Sequence, residues 1–220
     1  MTHYDAVVIG AGNAGLTAAT ALQRGGAKTL LLERHNIPGG CATSFVRGDF
    51  EFEVALHQLS GVGTEENPFI LRDLFEQLGV MDKVEFCSEE NMYRAVVPGE
   101  YDITLPADWE GVKDVLQQAF PAESDNIVKY MDVCEKLTMQ MFLSLGPALK
   151  ANDESALKET CPEFTQYAMR TMKDVMDEFF DDPKLKSILS TYWGYVGAPP
   201  SELMFSDIAP MFYAYAVYKP

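Results

Sequence analysis

Positive charge is scarce in this chain: 17 Lys and Arg stand against 33 Asp and Glu, for a formal net charge of −16. A surface of that sign has no basic patch to neutralise phosphates, which argues against nucleic acid as a partner. It also disfavours docking on anionic lipid by charge alone. The acid is spread along the chain rather than gathered in a tail, as on a solvated surface. Long apolar runs are missing too; none approaches the roughly 18 residues a spanning helix needs. Nothing ahead of Tyr4 reads as a signal peptide, and "AVVIG" is too short for an h-region. Cysteine is sparse. Cys41, Cys87, Cys134 and Cys161 lie far apart, with no C-x-x-C and no metal-type spacing. Reduced thiols in a cytoplasmic protein, with no metal site, are the expectation.

What the chain does have is a 47% hydrophobic share over 220 residues, enough for one large domain or two small ones. Ala6–Ile9 is a short β-branched run ending at glycine, which suits a buried parallel strand. From Asn13 to Arg24 the sequence is Ala/Leu-rich with helical spacing and stops at Gly25-Gly26. Lys28–Glu33, "KTLLLE", predicts a second strand and completes a β-α-β unit. "FVRGDFEFEVALHQL" alternates around Gly48 and predicts a hairpin. "PFILRDLFEQL" reads as an amphipathic helix, and "MYRAVVPGEYDITLP" as two strands joined at Pro98-Gly99. After Pro106 the texture is almost wholly helical, with Asp108 as the first N-cap. The compositional shift places a boundary there, giving 1–106 and 107–220.

The glycines carry the chemistry. In a Rossmann-type unit the first permits a tight turn off the strand. The second lets backbone approach a pyrophosphate, and the third lets helix and strand pack closely. Gly10, Gly12 and Gly15 hold those places, and Asn13 and Ala14 open the helix whose N-terminus faces the phosphates. Ala19 is small where the helix meets the sheet. Glu33 ends the second strand, where a carboxylate can accept hydrogen bonds from ribose hydroxyls. The fingerprint serves NAD and FAD alike.

"ERHNIPGG", with Glu33, Gly39 and Gly40, resembles the extended motif of the FAD-dependent phytoene desaturase, carotenoid isomerase and retinol saturase family, in the amine-oxidase-like flavoprotein superfamily. "FEFEVALHQLSG" is similar to that family's strand beside the flavin ring. Phe52, His57 and Gly61 match it, while Glu53 stands for the usual Asp and Ala55 for the usual Gly. The resemblance is strong over residues 4–61 and one of texture afterwards. It implies an α/β fold, a Rossmann-like three-layer FAD-binding domain with an inserted, mainly helical substrate domain. It implies FAD held by Gly10, Gly12, Asn13, Ala14, Gly15, Glu33, Arg34, Gly39, Gly40 and Cys41. Arg34 either contacts the adenosine or lies on the surface. Cys41 either leaves room for the pyrophosphate or is a redox thiol. His57 is the catalytic candidate, with a place in the flavin-pocket wall as its alternative.

The implied activity is desaturation, saturation or isomerisation of an apolar, isoprenoid-like substrate. The Met/Tyr/Phe-rich "MQMF" and "MFYAYAVY" either line its channel or fill a helix core. A non-catalytic isoprenoid escort and an NAD-linked dehydrogenase are the rivals. The resembled family continues for roughly as many residues again, so the chain is expected to be its N-terminal half and inactive alone. Self-association or a complementing C-terminal chain is expected, as is peripheral membrane contact for substrate uptake.

Overall fold

A computed structural model describes residues 2–54 and 58–218. The chain divides into two compact units, 1–86 and 87–220. The fold is α/β.

In the first unit, β1 (Ala6–Ile9) pairs in parallel with β2 (Thr29–Leu32), Ala6 opposite Thr29 and Ile9 opposite Leu32. α1 (Asn13–Arg24) connects them. Its Leu16 and Ala19 share a cleft with Thr29 and Leu31, so it covers one face of the pair. Val7, Ile9 and Leu32 belong to the other face and are 54%, 85% and 46% exposed. A hairpin follows, β3 (Phe45–Arg47) against β4 (Phe50–Phe52), turning at Gly48 as predicted. Phe45 stacks on Phe52 across it, with ring centroids 5.1 Å apart. α2 (Ile70–Leu78) ends at Gly79, whose φ of +65° is the left-handed cap that glycine accepts most readily.

The second unit opens with β5 (Asn91–Val97) antiparallel to β6 (Tyr101–Pro106). α3 (Trp109–Ala119) is capped by Asp108, which accepts from the Gly111 N–H at 2.6 Å, as its sequence position predicts. α4 (Ser124–Met139) runs into a π-helical turn at Gln140–Ser144 and then α5 (Leu145–Ala151). α6 (Glu154–Thr160), α7 (Pro162–Tyr167), α8 (Met172–Phe179), α9 (Pro183–Leu189) and α10 (Trp193–Val196) lead to α11 (Phe205–Val217). The apolar faces of these elements meet in one core that includes Leu105, Val112, Leu137, Ile188 and Phe205. Phe212, Tyr213, Ala214 and Ala216 of "MFYAYAVY" are buried; Met139 and Met141 of "MQMF" pack half-buried against the core.

Met92, Ala95 and Leu105 of the β5–β6 hairpin belong to that same core. The Tyr93 hydroxyl donates to the Ile188 carbonyl at 2.9 Å. The compact units divide at 86/87, while the 106/107 boundary expected from composition stays an expectation about where the mainly helical part begins. The shift at Pro106 marks where strands give way to helices. What the hairpin packs on is a separate matter, set by its inward-facing side chains.

Candidate functional site

The site is the turn from β1 to α1 and the loop that follows β2. Gly10 has φ +99°, and its N–H donates to the Leu32 carbonyl at 2.7 Å, extending the strand pairing into the turn. A side chain here would be strained whatever its size. Gly15 is required by contact: a Cβ there would overlap the Gly10 carbonyl oxygen. Gly39 and Gly40 also have positive φ, +119° and +61°, and a Cβ on Gly40 would stand 3.0 Å from the Gly12 Cα. The Gly39 N–H donates to the Ala11 carbonyl at 2.7 Å, and Gly12 and Gly39 bridge in parallel. The two glycine stretches, some 25 residues apart in the chain, are thus brought side by side.

Gly12 differs from the others. Its φ is −77°, open to any residue, and a Cβ would meet nothing closer than the Gly40 Cα at 3.9 Å. Neither backbone strain nor packing explains glycine at this position. It is the N-cap of α1, with no side-chain cap and no acidic residue in the first turn, where Asn13, Ala14 and Gly15 follow. The start of the helix is left clear, and its dipole favours an anion.

Glu33 lies at the end of β2, exposed, with its carboxylate turned onto backbone. Oε1 accepts from the His35 N–H at 2.7 Å and Oε2 from the Ala11 N–H at 2.5 Å. The His35 amide, then the Ala11 amide, hold its pKa below the usual carboxylate range. Arg34 is exposed and makes no ion pair among the described residues. Cys41 is an exposed free thiol beside Gly40. His57 lies outside the described residues.

Two features escaped the sequence reading. Ala11, between the first two glycines, is only 2% exposed and is held at both its N–H and its carbonyl. A cleft of ≈ 670 Å³ also opens beside Gly40, lined among others by His35, Phe45 and Arg47. The Arg47 guanidinium sits 5.0 Å from the Phe45 ring centroid. One side of the cleft, His35, Asn36, Ile37 and Gly40, belongs to the "ERHNIPGG" stretch, whereas Phe45 and Arg47 on the hairpin stand in no motif.

Residues 8–78 match the NAD(P)-binding Rossmann-like domain family. The chain is 30% identical over 212 residues to all-trans-retinol 13,14-reductase of Danio rerio, covering 92% of this chain and 34% of that protein. It is 27% identical to the chloroplastic prolycopene isomerase of Daucus carota over 200 residues, 85% of this chain and 31% of that one. The chain's relatives are retinol reductases and carotenoid isomerases. That is the family the motifs resemble, and the chain spans about a third of the length of the curated relatives it matches. Among solved structures, a putrescine oxidase double variant superposes with a TM-score of 0.61 at 17% identity, over 97% of this chain and 43% of that one. A Rab GDI from Plasmodium falciparum gives 0.52 at 13%, over 97% and 49%. Both likenesses establish the fold, and a fold alone does not choose a function.

Among the described residues, no group of His, Cys, Asp and Glu is placed to hold a metal ion. No described helix is long and apolar enough to cross a membrane.

Proposed function

We propose that the cradle holds the adenosine and pyrophosphate end of FAD in an oxidoreductase acting on carbon–carbon bonds of an apolar, polyene-like substrate. The observation that carries this reading is Gly12. It is a glycine the fold does not need, and its missing side chain leaves space at an uncapped helix N-terminus for a pyrophosphate. The substrate class comes from the relatives, a reductase of retinol and an isomerase of prolycopene.

In this reading the flavin supplies the redox chemistry at the double bond, and the protein binds, orients and excludes water. The amides at the start of α1, in Asn13, Ala14 and Gly15, face the phosphates. Gly39 and Gly40 let backbone approach from the other side, with Cys41 small enough to leave room. Glu33 offers its remaining lone pairs to the ribose hydroxyls, and Arg34 reaches the adenosine. His57 is assigned to the flavin side, orienting substrate or relaying a proton. The FAD-binding part is followed by a mainly helical part that receives the substrate.

The partner proposals rest on exposed apolar surface. Met141–Leu149 carries no charge, and Leu143, Pro147 and Leu149 are exposed; we assign this run to peripheral membrane contact during substrate uptake. The open face with Val7, Ile9 and Leu32 is assigned to self-association or to a complementing chain. The cysteines are free thiols, which supports a reducing compartment such as the cytoplasm, although the carrot relative is chloroplastic.

A non-catalytic isoprenoid-binding escort is the second reading, since the fold does not by itself require catalysis. A visible spectrum of the full-length protein, reduction by dithionite and turnover of retinol or prolycopene separate the two. Bound flavin with turnover supports the oxidoreductase. Apolar ligand binding without reducible flavin supports the escort, and a colourless protein that binds nicotinamide supports an NAD-linked dehydrogenase.

A further inference from the structure

Ala11 is the residue on which the phosphate-binding turn closes. At 2% exposure its N–H has no access to bulk water, and a buried amide without a partner is costly. Its partner is a carboxylate 22 residues away in sequence, Glu33 Oε2 at 2.5 Å. The Ala11 carbonyl accepts from Gly39, and the other Glu33 oxygen takes the His35 N–H. One side chain therefore ties the β1–α1 turn to the loop after β2. No side chain caps α1; backbone bonds, Gly10 N–H to the Leu32 carbonyl and Gly39 N–H to the Ala11 carbonyl, are the other ties at the base of the turn among the described residues.

We propose that Glu33 is a positioning residue for the phosphate-binding turn, acting through the Ala11 amide independently of any ribose. This rests on the dinucleotide reading above and goes beyond it, because a ribose-binding carboxylate need not touch the turn. The charge makes the role separable. A carboxylate near a pyrophosphate repels it, so a residue acting only by charge hinders phosphate binding, and one acting only on ribose is indifferent to it. A residue that holds the turn in shape favours phosphate binding despite its charge.

The test compares wild type, Glu33→Gln and Glu33→Ala in the 220-residue chain, with inorganic pyrophosphate and ADP-ribose as probes. Hydrogen exchange at the Ala11 amide is followed by NMR. Glu33→Ala is expected to weaken pyrophosphate about tenfold, the loss of one charge-assisted hydrogen bond. Glu33→Gln keeps one acceptor for Ala11 and removes the charge, but its NH2 then faces the His35 N–H, so it is expected to bind pyrophosphate less tightly than wild type and more tightly than Glu33→Ala. Ala11 exchange is expected to rise in Glu33→Ala while the amides of the β1–β2 ladder stay protected. Unchanged or tighter pyrophosphate binding in Glu33→Ala, with only ADP-ribose weakened, overturns the proposal. Unchanged Ala11 exchange in that variant overturns it equally. If wild type binds neither probe, the dinucleotide reading falls, and the exchange measurement still decides the positioning role.

Discussion

The two units solve the problem of stability differently. In 87–220 the hairpin and helices bury a continuous core, with Leu105, Val112, Leu137, Leu185, Ile188 and Phe205 all at 0% exposure. In 1–86 the buried apolar residues among those described are Ala11 and Val62, and Ile9 is left 85% exposed. The second unit is organised by side-chain packing. The first is organised by backbone: parallel strand pairing, positive-φ glycines and a carboxylate that binds two amides. A region built that way leaves its surfaces and helix terminus open, as a binding site requires, and has little packing of its own to lose.

That contrast is broken most severely from the side of the core. Phe205→Ala is expected to destabilise the second unit by about 3–5 kcal/mol through lost burial and the remaining cavity. Ile9→Thr, on the open sheet face, is expected to stay within about 0.5 kcal/mol. Chemical denaturation followed separately by fluorescence and by strand amides reads the two; equal losses would erase the distinction.

Next in size is Gly15→Ala. The added methyl would overlap the Gly10 carbonyl oxygen, so helix and strand must move apart. A cost of about 1–3 kcal/mol is expected, in the first unit only. A smaller effect is expected in the second unit from Glu123→Gln. This buried carboxylate accepts from the Asp181 and Asp182 amides at 2.8 and 3.0 Å and from Asn126. The Gln variant loses charge-assisted bonds worth about 1–2 kcal/mol, measured as a shift in the same denaturation midpoint.

How much of this was legible follows from distance along the chain. The β1–α1–β2 unit could be read because each of its signals is local: a four-residue apolar strand, a glycine at each turn, helical spacing between. The hairpin at Gly48 and the Asp108 cap were legible for the same reason. The packing of the β5–β6 hairpin was not, because what β5 and β6 rest on is decided by residues about 100 positions later, as Tyr93 to Ile188 illustrates. Nor was the engagement of Glu33 with the turn. Its position at a strand end predicts only a ribose ligand, whereas its bond to Ala11 depends on the turn's three-dimensional closure. Arg47, which lines the same cleft as Gly40, was missed because a hairpin tip carries no motif.

The smallest expected effect is a pH dependence confined to the second unit. Lys173 and then Lys186 hold the exposed Asp177 at a pKa of about 2, against an ordinary 3.8. A carboxyl depressed in the folded state stabilises fully above its unfolded value and loses that contribution as pH falls through the folded one. Asp177→Asn should therefore lower stability slightly near neutral pH and flatten the acid limb between about pH 4 and 2. An acid titration of the unfolding midpoint checks it; identical limbs would show the pairs to be fully screened.

The central claim is that Gly12 is glycine for the sake of a ligand, and one paired measurement tests it. ADP-ribose binding to the 220-residue chain is titrated in wild type, Gly12→Ala and Gly12→Val, with the unfolding midpoint recorded for each. Because a Cβ at Gly12 meets nothing closer than 3.9 Å, Gly12→Ala should cost no more than the N-cap preference of Gly over Ala, about 1 kcal/mol, while affinity falls, and Gly12→Val should abolish binding. A Gly12→Val chain that binds ADP-ribose like wild type would contradict it.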